Sequence, residues 1–367
     1  MNELTQIEIL NWLREQDPAR LQELYSLADS VRKENVGDAI HLRGLIEISS
    51  HCERQCMYCG LRRGNTALFR YRMSAEEILA CALEAKRLGY GTVVIQAGED
   101  RELTADFIAG LVRRIKSLTG LAVTLSLGER AEEELSLWRE AGADRYLLRF
   151  ETSDLKLFRL IHPPRRPGAP DRIELLGRLK RLGYEVGSGV MVGIPGQSYA
   201  SLAHDISVFR ALDLDMIGIG PYIPHSATPL GSGALCPPIE PDQQVPATEE
   251  MVLKTVALAR LACPTANLPS TTALATIDKA WGRRRGLSVG GNVAMPNLTP
   301  VEYRALYQIY PAKACIDERP SDCNQCLRSQ IHSLGRYAGS GPGGRGAHEN
   351  SLAAIDPAAA QLVQLAS

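Results

Sequence analysis

From His41 onward, short apolar runs alternate with amphipathic helical stretches, and this rhythm constrains the fold more than any other feature of the sequence. One helical stretch, at 74–88, begins with a capping box of Ser74 and Glu77 and stops at Gly89. Strands that alternate with helices indicate repeated βα units and a parallel sheet. The predicted strands are 42–48, 92–96, 122–127, 145–150, 186–192, 216–219, 266–268 and 287–289.

Eight such strands with intervening helices predict an α/β fold, a (βα)8 TIM-type barrel whose chemistry gathers at the carboxyl ends of the strands. An open doubly wound sheet is the alternative from periodicity alone. The first strand lacks the Gly-x-Gly-x-x-Gly turn of a dinucleotide-binding fold. The barrel is therefore favoured.

Sequence character divides the chain into four parts. We expect an N-terminal helical cap at 1–36, the barrel at 37–292, a helical C-terminal extension at 293–336 and a flexible tail at 337–367. The tail begins with AGSGPGGRGA, a run of glycine and small residues that is typical of linkers.

Composition argues against two classes of partner. Lys and Arg total 41 against 42 for Asp and Glu, so the net charge of −1 gives no overall attraction to nucleic acid or to an anionic membrane. The sequence contains no apolar run long enough to span a bilayer, and its N-terminus is acidic and amphipathic. We expect a soluble, cytoplasmic protein.

Nine cysteines are present, and an odd number without a signal peptide argues against a disulfide framework. Cys52, Cys56 and Cys59 directly follow the first predicted strand with a Tyr before the last of them. A structural zinc site needs four ligands, and three cysteines on an iron–sulfur cubane leave one iron open to another ligand. A zinc knuckle or simple burial of the thiols is the alternative.

The Cys-x3-Cys-x2-Cys loop after the first strand of a βα barrel resembles the radical S-adenosylmethionine (SAM) superfamily. The resemblance implies a catalytic 4Fe-4S cluster on Cys52, Cys56 and Cys59, with SAM bound to the open iron. Reductive cleavage of SAM then gives a 5′-deoxyadenosyl radical.

The resemblance also implies the residues that bind SAM, a ligand with an ammonium and a carboxylate group. Gly98 and Glu99 match a Gly-Gly-Glu-like motif in which Ala97 replaces the first glycine. Ser126, Glu151 and Arg172 match further SAM contacts, and the planar guanidinium of Arg172 suits a carboxylate. Glu99 as a solvated loop acid and Arg172 as a helix-surface charge are the alternatives.

Longer stretches from about residue 40 to 335 resemble the HydE family of FeFe-hydrogenase maturases; they include RGLIEIS, QAGED, VTLSLGE, MVGIPGQ and YRALYQIYPAKAC. Biotin synthase is disfavoured, because the fourth strand lacks the Tyr-Asn-His-Asn-Leu-Asp run of that enzyme. A radical amino-acid mutase such as methylornithine synthase remains an alternative. So does a non-catalytic iron–sulfur scaffold or carrier.

A second cysteine trio, Cys315, Cys323 and Cys326, lies near the C-terminus. It resembles the ligands of an auxiliary 2Fe-2S or 4Fe-4S cluster present in some HydE proteins. A zinc site or an empty site is the alternative.

The resemblance implies a polar cavity inside the barrel, suited to a small anionic substrate that contains iron or derives from an amino acid. A filled apolar core is the alternative. The expected lining residues are Thr124, Arg149, Met216, Thr271, Thr272, Tyr307 and Tyr310.

Arg54, Arg62, Arg63, Arg70 and Arg72 give the cysteine loop a local excess of positive charge. This excess suggests a docking surface for an acidic low-potential electron donor or a maturation partner, although a solvated loop is also consistent. The resemblance implies sister maturases and a scaffold protein as partners.

Overall fold

The computed structural model describes residues 4–164 and 171–345. Eight parallel strands pair in sequence order, and the first strand pairs with both the second and the eighth, so the sheet closes into a barrel. The fold expected from the alternation is therefore confirmed. The strands are β1 Ala39–Ser49, β2 Thr92–Ala97, β3 Ala122–Ser126, β4 Arg145–Leu147, β5 Glu185–Val192, β6 Met216–Pro221, β7 Pro269–Ser270 and β8 Val293–Ala294.

Helices surround the strands and bury apolar side chains against them. The helices are α1 Gln6–Arg14, α2 Pro18–Val36, α3 Ala75–Arg87, α4 Ala105–Thr119, α5 Glu132–Glu140, α6 Leu155–Ile161, α7 Arg172–Arg181, α8 Tyr199–Ala211, α9 Glu249–Ala262, α10 Thr272–Ile277, α11 Gly282–Ser288, α12 Val301–Arg304 and α13 Pro320–Ser333. Helix α3 begins with the expected capping box, in which Ser74 and Glu77 satisfy each other's backbone N–H groups. In the part of the chain that the structure describes, no helix is both long and apolar enough to cross a membrane.

The last two strands lie later in the chain than predicted: β7 is Pro269–Ser270 rather than 266–268, and β8 is displaced further. The apolar run 287–289 is the end of α11 and the turn after it, and β8 follows at Val293–Ala294. Ser288 Oγ donates to the carbonyl of Arg284, as in a helix, and Leu287 is buried as a helical core residue. A run this short fits a helix as well as a strand, and for that reason the strand was predicted too early. Because β8 ends at Ala294, the barrel extends past the expected boundary at 292.

The N-terminal helices pack on the outside of the barrel. Helix α1 contacts α8, and α2 contacts α9. The amino end of the barrel is covered by a different part of the chain.

That part is 337–345, expected as flexible, which instead packs across the amino ends of the strands. A short strand, β9 Tyr337–Ala338, pairs with the start of β1. The carbonyl oxygen of Pro342 accepts hydrogen bonds from Thr92 and Arg145, and Arg345 forms ion pairs with Asp213 and Asp215. Residues 346–367 of the expected tail lie outside the described residues.

Candidate active site

The cysteine loop leaves the carboxyl end of β1 and brings three thiols to one internal cavity. Cys56 is buried, and Cys52 and Cys59 are partly buried. All three line the cavity. Burial raises the pKa of each thiol, that of Cys59 to about 12.

Backbone hydrogen bonds anchor this loop to three neighbouring segments. The N–H of Glu53 donates to the carbonyl of Glu99, that of Met57 to Ile161 and that of Gly60 to Ile309. The loop is therefore held in place by groups outside the loop itself.

Most of the loop arginines bind groups within the protein, whereas the sequence suggested that they form a docking surface for a partner. Arg70 reaches the carbonyl oxygens of Ser50, Leu61, Arg62 and Asn65. Three other loop arginines also have partners within the protein: Arg62 binds the Cys56 carbonyl, Arg72 pairs with Asp100, and buried Arg54 pairs with Glu129. Arg63 is exposed.

The donor set suits a cluster with an open position. Three sulfurs face the cavity, and no fourth cysteine lines it among the described residues. Gly98 lies against the loop so closely that an added Cβ would be 2.2 Å from the His51 carbonyl oxygen and 2.7 Å from Cys52 Cβ. A 4Fe-4S cluster ligated at three irons fits these residues.

The five residues expected to bind SAM line the same cavity. Glu99 follows β2, and its N–H lies 3.4 Å from Cys52 Sγ. Ser126 ends β3 beside Gln96 of β2. Glu151 has a left-handed backbone with φ 63° and lies 3.2 Å from Arg149 Nη2. The sequence motifs thus converge at the carboxyl ends of β2, β3 and β4.

Arg172 is buried at the first position of α7, which rules out a helix-surface charge. Its Nε donates to Glu129 Oε1 at 3.0 Å, and its Nη1 donates to the Arg149 carbonyl at 2.6 Å. Nη2 lies 3.0 Å from His162 Nε2. Nearby acids and a buried tyrosine raise the pKa of Arg172 despite its burial, so the guanidinium stays charged.

Two members of this group, Glu129 and His162, were not among the predicted site residues. The positive charges of Arg172 and Arg54 beside it hold the pKa of the Glu129 carboxyl well below its usual range. Burial and the charge of Arg172 lower the pKa of His162 to about 3, so its ring is neutral near pH 7. Glu129 closes a quoted motif, but nothing in the sequence around His162 marks it.

The interior of the barrel is an open cavity of about 340 Å³, which is at odds with a filled core. The seven residues expected to line it do so: Thr124, Arg149, Met216, Thr271, Thr272, Tyr307 and Tyr310. The buried hydroxyl of Thr124 has no hydrogen-bond partner among the described residues. The Met216 sulfur accepts from Arg43.

A buried ion pair that sequence analysis did not identify also faces the cavity. Lys313 Nζ lies 2.6 Å from Glu47 Oε1 and 2.7 Å from Oε2, and Asn297 donates to the same carboxylate. Lys313 lies in the quoted stretch YRALYQIYPAKAC, and Glu47 lies in RGLIEIS. Only the fold brings these two motifs together.

The second cysteine trio is separate from the cavity and is only partly assembled. Cys315, Cys323 and Glu318 place one ligand atom each within 4.8 Å of one another, whereas Cys326 is exposed and outside this group. The Cys315 thiol holds the pKa of Cys323 at about 7 by hydrogen bonding to it. Glu318 was not predicted.

Comparison with known proteins places the chain among enzymes with this architecture. The Radical SAM superfamily model matches residues 46–208. The "[FeFe] hydrogenase maturase subunit HydE" of Thermotoga maritima is 45% identical over 322 residues, which is 88% of each chain. The 3-methylornithine synthase of Methanosarcina acetivorans is 27% identical over 84% of this chain and 83% of its own.

Among solved structures, the crystal structure of methylornithine synthase (PylB) superposes with a TM-score of 0.76. The superposition covers 92% of this chain and 94% of that one at 24% identity. This similarity supports the barrel fold.

Proposed function

This chain belongs to the radical SAM superfamily and, within it, to the HydE family, and from that premise we propose that it matures the FeFe-hydrogenase active site. The observation that carries the proposal is 45% identity to a HydE over 88% of both chains.

Cys52, Cys56 and Cys59 hold the catalytic 4Fe-4S cluster in this proposal. When bound, the cluster supplies the electron that cleaves SAM and so gives access to the 5′-deoxyadenosyl radical. The protein's part is to leave one iron open to SAM and to keep water away. The burial of Cys56 and the position of all three thiols on the cavity support both roles.

Gly98, Glu99, Ser126, Glu151 and Arg172 bind SAM beside the cluster. Glu99 and Glu151 offer carboxylates to the methionyl ammonium, and the fork of Arg172 complements a carboxylate. Gly98 lets the β2 strand approach the cysteine loop, where a side chain would collide with the His51 carbonyl. These residues lie at the ends of β2, β3 and β4 and at the start of α7, and all of them line the same cavity.

The substrate is a small cysteine-bound iron carbonyl cyanide precursor that occupies the barrel below SAM. The cavity extends from the cluster cysteines past the SAM-binding residues to Met216, Thr271 and Thr272, so SAM and a small substrate would share it. The walls supply the cation of Arg149, the Glu47–Lys313 pair and the unpartnered hydroxyl of Thr124. Such a lining suits a compact polar anion better than an apolar ligand.

The precursor would come from a sister maturase, and the product would pass to a scaffold protein. A low-potential electron donor would reduce the cluster. Arg63 is the exposed loop arginine most available to such a donor, because Arg54, Arg62 and Arg70 bind groups within the protein.

The second site, near α13, would bind an auxiliary 2Fe-2S or 4Fe-4S cluster through Cys315, Cys323 and Cys326. The close approach of Glu318 to Cys315 and Cys323 supports metal binding and adds an oxygen ligand to the expected set. The site does not line the cavity, so it need not take part in the reaction.

Methylornithine synthase activity is the second candidate. The match to that enzyme covers 84% of this chain, against 49–69% for the biotin synthases, and this longer match favours it over biotin synthesis. Turnover of lysine, together with failure to support hydrogenase maturation, would decide for this alternative. A fully loaded protein that never cleaves SAM would instead be a scaffold or carrier.

The test of the radical SAM chemistry is the yield of 5′-deoxyadenosine from anaerobically reconstituted protein given SAM and a strong reductant. We expect wild-type protein to form it and Cys56→Ala to form none. Cys236→Ala is the matched control, since Cys236 is exposed and outside the cavity, and it should behave as wild type. A Cys56→Ala protein with wild-type yield would overturn the assignment of the cluster ligands.

A further inference from the structure

His162 lies against the cysteine loop at the end of α6. Its side chain is almost fully buried, and its ring stacks on Phe158 with 5.0 Å between the ring centroids. Nδ1 lies 3.0 Å from Cys56 Sγ, and Nε2 faces Arg172 and Glu129. The two ring nitrogens therefore face different neighbours, and those neighbours determine which nitrogen carries the proton.

Arg172 decides the state of Nε2. A guanidinium has five N–H donors and no acceptor, so Nη2 at 3.0 Å can only donate to Nε2. Nε2 must then present its lone pair. Arg172 cannot easily turn away, because its other nitrogens are bound to Glu129 and to the Arg149 carbonyl.

Glu129 Oε1 also lies 3.2 Å from Nε2, and it could accept a hydrogen bond if Nε2 carried the proton. A proton on Nε2 would bond to Glu129 but would face the N–H of Arg172. It would also leave a lone pair on Nδ1 facing Cys56. With the proton on Nδ1, Arg172 donates to both His162 Nε2 and Glu129 Oε1. The only unfavourable contact is then the one between these two acceptors, whereas the other tautomer has unfavourable contacts with both Arg172 and Cys56.

The requirement at Cys56 agrees with this result. As a cluster ligand, Cys56 is a thiolate, which accepts hydrogen bonds and cannot donate them. Tyr58 Oη is also near Nδ1 but farther, at 3.5 Å. Both sides of the ring therefore demand the same tautomer.

We propose that His162 is a positioning residue that donates its Nδ1–H to the sulfur of Cys56, and that Arg172 enforces this tautomer. The inference rests on the proposed role of Cys56 as a cluster ligand. A hydrogen bond to a ligating sulfur draws negative charge from the cluster and raises its reduction potential. His162 thereby makes the cluster easier to reduce.

The test is a redox titration of the reconstituted cluster without SAM, in which the EPR signal of the reduced state is measured at each potential. The variants are His162→Phe, which keeps the ring without a donor, and His162→Asn, whose amide nitrogen can take the place of Nδ1. We expect the ratio of reduced to oxidised cluster at fixed potential to fall about tenfold in His162→Phe, or about 59 mV for a one-electron couple. His162→Asn should stay closer to wild type.

An unchanged potential in His162→Phe, or an equal shift in both variants, would contradict the proposal, since the donor would then have no effect of its own. Wild-type protein labelled with 15N-histidine provides a second measurement that does not depend on a variant loading its cluster. We expect a 15N coupling and an exchangeable proton coupling in the reduced cluster, and the absence of the 15N coupling would overturn the inference. Both readouts are independent of hydrogenase maturation, so failure here leaves the proposed function untouched.

Discussion

Arg172 binds three acceptors with one guanidinium, and a lysine has no planar fork with which to do the same. We predict that Arg172→Lys keeps the charge but loses at least one of these bonds, each worth roughly 1.5–3 kcal/mol for a charged group. The Kd for SAM should then rise about tenfold or more. Calorimetry on cluster-loaded protein measures this change.

The control for that experiment is Arg178→Lys on the same helix, since Arg178 is partly exposed and pairs with Glu174. It should bind SAM as wild type does. Equal affinities for Arg172→Lys and wild type would show that the fork does not shape the SAM site.

At the scale of residues, the cysteine spacing and the family resemblance that it supports predicted lining residues of the cavity from Cys52 to Tyr310, and all of these line it. Sequence could not distinguish a buried from an exposed Arg172, because the first residue of a helix carries no periodic signal. His162 was missed for a related reason: it joins the site only because α6 ends against the cysteine loop.

At the scale of elements, the loop from Cys52 to Arg72 has no regular secondary structure and depends on Arg70 for its shape. Arg70 binds four backbone carbonyls of this region. Arg70→Met should leave those carbonyls without their donors and reduce the iron bound per chain after reconstitution by roughly half or more, with each lost charged bond contributing about 1.5–3 kcal/mol. Iron analysis and the absorbance of the cluster measure the loss.

Arg63→Met serves as the matched variant, because Arg63 lies in the same loop but is exposed. Its iron content should equal that of wild type. If both variants load equally well, the loop does not depend on Arg70.

Most elements follow from sequence physics, as the capping box of α3 illustrates. The eighth strand was misplaced because a short apolar run such as 287–289 is compatible with either a helix or a strand. Pairing with β1 and β7 selects Val293–Ala294 as the strand. Such pairing depends on barrel closure, which no local pattern encodes.

At the scale of the whole molecule, residues 337–345 close the amino end of the barrel. A Cβ on Gly91 would lie 1.6 Å from the carbonyl oxygen of Gly341. Gly91→Ala should therefore displace this segment or lower the free energy of unfolding by about 1–3 kcal/mol. Limited proteolysis of the C-terminal segment and the Tm report the two outcomes.

Gly110→Ala in α4 is the control, because an added Cβ there meets nothing within 4 Å. It should raise stability by about 0.5–1 kcal/mol, as alanine favours a helix over glycine. A Gly91→Ala protein as stable and as protease-resistant as wild type would show that the segment does not pack as described. The glycine-rich composition alone suggested a flexible tail, since it carries no sign of the Arg43 and Arg145 side chains that bind its carbonyls.

The proposed function of this barrel is to mature a hydrogenase through a cluster on Cys52, Cys56 and Cys59. The most direct measurement is hydrogen evolution by an apo-hydrogenase incubated anaerobically with the sister maturases, SAM and reductant, with this protein as the only variable. We expect activity with wild-type protein and none with Cys56→Ala or without the protein. Equal activity in all three reactions, or none with a wild-type protein that cleaves SAM, would contradict it.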